Sequence, residues 1–223
     1  MEHQKQIIHF CHIPKTGGKS FRRGLMEAYG NRVCFLNPTP LRLNSWEKFL
    51  FRLLQIKNFI KPKRSINDYD IVFGHYCFDF LYSSHKRPIK RGAFFRDPVE
   101  WVGSLYFFYL KKTKKDRSKI DILKFIKSHN LKKGYRKHLG SFSVESLDFV
   151  GITERYQESL NLYNKKFGVS IKLYHVFKTK IIGTSYKEYF IEQGVYEEVA
   201  NLMKDNKKIY NEAMDHFTKL QQG

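Results

Sequence analysis

"HIPKTGGKS", residues 12–20, stands between the apolar run "IIHFC" at 7–11 and the segment "FRRGLMEAY" that follows it. The apolar run reads as a buried first strand over 6–12, and from Ser20 onward apolar residues recur at helical spacing. A strand, a glycine-rich turn and a helix in that order make an anion site: turn amides point outward, and the helix start adds partial positive charge. Lys15, Lys19, Thr16 and Ser20 supply cations and hydroxyls around Gly17 and Gly18.

Outward from this loop the chain repeats the alternation. Strands are predicted at 32–37, 69–75, 91–97, 147–155 and 171–178. Helices are predicted over 45–56 with Ser45 as N-cap, from Pro98 through "VEWVGSLYFFYL", over 156–167, and over 186–204 and 206–220. Near-continuous apolar strands separated by helices imply one domain, 1–223: a three-layer α/β/α sandwich with a mainly parallel sheet and a P-loop-like anion loop.

Composition narrows the partners. The 223 residues carry a formal charge of +20, with 41 Lys and Arg against 21 Asp and Glu. A field of that sign attracts phosphate, sulfate and other polyanions. The stretch 111–138, rich in lysine, reads either as a solvated face or as a cradle for an anionic chain. Cys11, Cys34 and Cys77 are odd in number and lie in apolar runs, which fits a reducing compartment and suggests neither a disulfide framework nor a metal site. No run of ~18 apolar residues suggests a membrane span, so a cytoplasmic location is expected.

The ending "GGKS" matches the second half of the nucleotide-binding loop G-x-x-x-x-G-K-[ST], but the first glycine would fall at Ile13. A P-loop kinase or NTPase therefore stays as an alternative, as does a non-catalytic module binding polyanions. The segment more closely resembles the 5′-phosphosulfate loop of the carbohydrate sulfotransferases, in the heparan sulfate 2-O-sulfotransferase branch, whose pattern is close to "HIPKTGGTS". Lys19 replaces the family's threonine. A second stretch, "FFRDPVEWVGSLYFF" at 94–108, resembles the family's "RDP" turn, with Ser104 following Arg96 at the family's spacing. A third, "DFVGITERYQESLNLY" at 148–163, resembles its "DFVGxTE" segment. Trp101 stands where the family usually has arginine.

The resemblance implies a sulfuryl transfer from 3′-phosphoadenosine 5′-phosphosulfate (PAPS) to a hydroxyl of a carbohydrate or glycolipid, without metal and without nucleic acid. It implies that Lys15, Thr16, Gly17, Gly18, Lys19 and Ser20 hold the phosphosulfate. Arg96 and Ser104 would hold the 3′-phosphate, and "VFKTK" would bring Lys178 and Thr179 near the donor. His75, in the "GH" that follows "VF", would be the base, titrating near neutrality. Each has a structural alternative: Lys15 as a surface lysine, Arg96 paired with Asp97 or Glu100, and His75 as a hydrogen-bonded core histidine. His9 and His12 read as structural. The family's Golgi members carry a membrane anchor, so a bacterial or viral enzyme, or a trimmed catalytic domain, is the expected origin.

Overall fold

The computed structural model describes residues 6–36, 68–75, 87–114, 116, 121–174 and 184–223. Among these residues five strands form one sheet: β1 (Ile7–Cys11), β2 (Val33–Phe35), β3 (Ile71–Gly74), β4 (Ile89–Phe95) and β5 (Phe149–Ile152). Their order is β2-β3-β1-β4-β5, and every pair is parallel. β1, β3 and β5 are buried along their whole length, which is why they read as apolar runs without alternation.

Helices cover both faces. On one, Phe21 of α1 (Gly18–Tyr29) and Tyr163 of α5 (Tyr156–Phe167) pack with Phe10, Phe94 and Phe149 of the sheet. Gly151 belongs to this face for a steric reason: a Cβ there would sit 2.3 Å from the Phe94 ring. On the other face, Tyr135 of α4 (Gly134–Leu139) meets Phe95 edge-on, and α8 (Lys204–Gln222) runs along β5. α2 (Pro98–Thr113) packs with α3 (Ile122–Ser128), α6 (Tyr186–Glu192), α7 (Tyr196–Leu202) and α8. The layers are those the sequence predicts.

α2 begins as the "RDP" turn dictates. The Asp97 side chain accepts hydrogen bonds from the Val99 and Glu100 amides, and Pro98 occupies the first turn. Two elements differ from expectation. Residues 171–174 are not a strand: the Asn164 side chain bonds both the N–H and the C=O of Ile171, at 2.8 and 3.0 Å, and so satisfies the backbone that a ladder would have paired. The helix predicted over 186–204 is broken around Gly194, whose φ of +67° no helical residue adopts. The helix predicted over 45–56 and the rest of the strand predicted to 178 lie outside the described residues.

The chain lays β2 and β3 on one side of β1 and β4 and β5 on the other. The connections after β1 and β4 therefore diverge at the carboxyl ends of adjacent strands, where open α/β sheets bind their ligands. The topology brings Lys15 and Arg96 to one place, although 81 residues separate them.

Candidate active site

The loop from His12 to Gly18 is wound tightly. Thr16 is fully buried and its hydroxyl donates to the Ile13 carbonyl at 2.8 Å, closing the turn from inside. Lys15 has φ +69°, a left-handed conformation that costs a non-glycine residue roughly 1 kcal/mol or more. Gly17, at φ +85°, needs glycine's freedom, and the Tyr156 hydroxyl donates to its carbonyl at 3.4 Å. Gly18 opens α1 flat against His12: a Cβ there would lie 1.8 Å from the imidazole Cε1. A side chain at position 18 would displace either the histidine or the helix.

Among the described residues, no side chain caps the amino end of α1. Gly17 supplies no side chain to cap it, and no acidic residue lies in its first turn. α2 and α6, by contrast, are capped by Asp97 and Ser185. Uncapped amides and the helix dipole favour an anion at this end. Lys19 is exposed and Ser20 half-buried on the same first turn. The Lys15 ammonium lies 4.8 Å from the centre of the Phe108 ring, which is 43% exposed. Burial, followed by Lys19 and Arg96, holds this lysine below its ordinary pKa, a cost that an adjacent anion would relieve.

Arg96, at the end of β4, faces the loop. Its guanidinium donates to the Lys15 carbonyl at 3.5 Å, pairs with Glu100 at 3.2 Å, and lies 3.9 Å from Glu154. The ring of Tyr186 sits 5.7 Å from it, and the Tyr186 hydroxyl interacts with Ser104, which is 5% exposed. Tyr186 thus joins the two residues that the sequence pairs by spacing. The pairing of Arg96 with Glu100, weighed from sequence as a structural alternative, is present, and the same arginine also touches the loop. A single guanidinium has the donors for both.

His75 lies at the end of β3, beside β1. Its Nδ1 is 2.9 Å from the His12 carbonyl, and a ring nitrogen facing a carbonyl carries the proton. The lone pair of the neutral ring is therefore on Nε2. His138 repeats the pattern, with Nδ1 2.6 Å from the His75 carbonyl, while Cys11 Sγ donates to the His138 carbonyl at 3.3 Å. Ring centres are 4.8 Å apart for His12 and His75 and 6.3 Å for His75 and His138. His12 stacks on Phe73 and is a wall of the site, in keeping with its structural reading, and His9 is buried within β1.

Burial, with the neighbouring histidines, drives His12 down to about 3, and burial, the largest cause, drives His138 down to about 4. These rings fold neutral and an unfolded chain would protonate them near 6.5, so the unfolded state binds more protons between those limits. Stability is complete above about pH 6.5 and falls as pH drops toward 4, by about 1.4 kcal/mol per pH unit for each histidine once its unfolded form is charged. Melting temperatures from pH 8 to 4 check this; a flat profile below 6.5 contradicts the buried neutral cluster.

Trp101, Tyr135, Tyr186 and His138 are absent from the sequence-derived site. Trp101 was visible only as a departure from a family pattern. Tyr135 and His138 sit in "KKGYRKH", whose lysines make it read as a solvated face, while Tyr186 opens a helix with no motif. Lys178 and Thr179 lie outside the described residues.

No family model and no curated protein matches the chain. Among solved structures it is similar to a sulfotransferase from Alicyclobacillus acidocaldarius, at 10% identity and a TM-score of 0.44, over 90% of this chain and 95% of that one. It is also similar to mouse sulfotransferase SULT7A1 complexed with PAP, at 12% identity and a TM-score of 0.48, over 95% and 89%. With TM-scores below 0.5, these likenesses assign neither chemistry nor residues to this chain.

Proposed function

We propose that the chain is a PAPS-dependent sulfotransferase acting on a hydroxyl of a carbohydrate or glycolipid. The observation that carries the reading is the meeting, at one sheet edge, of an uncapped helix start with its lysine-bearing loop, the Arg96 turn, and the neutral imidazole of His75. Each group has a part in one reaction. The acceptor oxygen attacks sulfur in line, its proton passes to His75 Nε2, and the bond from sulfur to the bridging oxygen breaks. The electron pair stays on the departing nucleotide bisphosphate, where Lys15 neutralises the growing charge. The amides around Gly17 and Gly18, with Ser20 and Lys19, hold the phosphosulfate oxygens. Arg96 and Ser104 take the 3′-phosphate. The Thr16 hydroxyl proton is already engaged with Ile13, and phosphosulfate oxygens only accept hydrogen bonds, so the part of Thr16 is to hold the turn.

The kinase or NTPase alternative loses support at the neighbouring strand. β3 ends in Gly74 and His75, and its acid, Asp70, lies at the opposite end of the strand, paired with Arg87. No described helix is long and apolar enough to cross a membrane; a cytoplasmic enzyme, or the catalytic part of an anchored one, is the proposed setting.

Calorimetry separates the readings. Adenosine 3′,5′-bisphosphate should bind and raise the melting temperature, with about 2.7 kcal/mol of stabilisation at a hundredfold excess over its Kd. ATP with magnesium should not. Stabilisation by ATP with magnesium alone revives the kinase, and strongly salt-dependent polyanion binding with no nucleotide effect favours the binding module. Transfer from labelled PAPS over a panel of glycans and glycolipids identifies the acceptor.

Arg96→Ala tests the 3′-phosphate end. Losing a charge-assisted fork on a phosphate should cost about 2–4 kcal/mol of bisphosphate affinity, while adenosine 5′-phosphate, which lacks the 3′ group, should lose far less. Equal losses for the two nucleotides would assign Arg96 to the loop alone.

A further inference from the structure

We propose that Trp101 is a positioning residue of the donor loop: its indole N–H holds the Pro14 carbonyl and thereby fixes the backbone of Lys15 in the conformation that grips the anion. The inference rests on the sulfuryl-transfer reading.

The indole Nε1 donates to the Pro14 carbonyl at 2.7 Å, and Trp101 is only 1% exposed. A buried tryptophan N–H needs a partner, and this one is a peptide group of the loop itself. The next carbonyl, that of Lys15, accepts from Arg96. Two side chains, from the start of α2 and the end of β4, thus hold consecutive carbonyls on either side of the Lys15 φ of +69°. A strained non-glycine conformation persists where its surroundings over-determine it, and these bonds do so.

The indole is itself held rigidly. Its ring lies 4.8 Å from that of Tyr135, and a Cβ on Gly134 would come within 2.2 Å of its outer edge. The Tyr135 hydroxyl bonds the Arg96 carbonyl, and the Tyr135 amide is fixed by the buried Asn206 side chain at 3.0 Å. The basic segment 131–139 therefore connects α8 to both halves of the anion site through this aromatic pair. An arginine at position 101 would put a charge where this chain has a dry indole, so the departure is compensated by Gly134 and Tyr135.

Trp101→Phe keeps an aromatic ring but removes the donor. Two nucleotides separate positioning from general damage, because only one reaches the loop with a phosphate. Adenosine 3′,5′-bisphosphate should bind the variant about tenfold more weakly, and turnover should fall by a similar factor, as expected for one lost hydrogen bond. Adenosine 3′-monophosphate should bind within about twofold of wild type, since it uses the Arg96 end alone. Equal weakening of both nucleotides, or of neither, overturns the proposal while wild-type binding of the bisphosphate leaves the sulfotransferase reading standing. Wild-type protein that binds neither nucleotide removes that reading and this proposal with it. Should the variant fail to fold, the wild-type indole resonance of Trp101, identified in a Trp46→Phe background, decides. Slow hydrogen exchange and a shift on adding the bisphosphate support the latch; rapid exchange or an unmoved resonance overturns it.

Discussion

Lys15→Ala should reduce sulfuryl transfer about a hundred- to a thousandfold, the usual cost of removing one group aimed at charge that develops in the transition state. The fold should survive. The ammonium lies over the half-exposed Phe108 ring, and the neighbouring carbonyls stay tied to Trp101 and Arg96 whatever side chain occupies position 15. Alanine is no more strained than lysine at a positive φ, so the backbone gains no new reason to move. Binding of the bisphosphate should weaken less than turnover falls, because the loop amides, the first turn of α1 and Arg96 remain. Lys15→Arg keeps the charge but spreads it over a plane that a loop wound this tightly has less room for, and it should recover only part of the rate. A variant with wild-type melting temperature and near-wild-type turnover would return Lys15 to the surface-lysine reading.

Much of this arrangement was legible in the residues because local chemistry fixed it. "RDP" specified its helix start through Asp97 and Pro98, whose capping and first-turn geometry need no distant partner. "GGKS" after a buried strand specified the turn for the same reason. Contacts made across the sheet carried no such signature. That Trp101 would meet Pro14, 87 residues earlier, or that Tyr186 would link Arg96 to Ser104, depends on which helices the topology lays side by side. The strand predicted over 171–178 failed on its described part for a related reason. β propensity was right for Ile171, but the Asn164 amide, seven residues away on α5, outcompeted a sheet edge for its backbone.

His75→Ala should lower turnover about a hundred- to ten-thousandfold, the range for loss of a general base, and leave bisphosphate affinity within about twofold. His138 reaches the backbone carbonyl of residue 75 rather than its ring, so truncation keeps that bond and the strand end in place. His75→Asn is the sharper variant. Its amide can still donate to the His12 carbonyl and preserve the local packing, but it accepts no proton, and it should be nearly as slow. The sequence alone suggests a rate that rises through neutrality; the structure moves that limb to lower pH. Burial, the larger influence, lowers the His75 pKa below 6.5, and the bond to the His12 carbonyl only partly offsets it. Protonation occupies Nε2 and removes the base, so activity should fall as pH drops below the ordinary histidine range and stay level above it. Among the described residues, His12, near 3, and His138, near 4, are the titrating groups that face this ring; both are neutral throughout that window and add no second step. The limb should vanish in the residual activity of His75→Asn. If instead both variants turn over at wild-type rates with the same acceptor, the proton goes elsewhere, and the carboxylates between Asp79 and Glu100 are the next groups to replace.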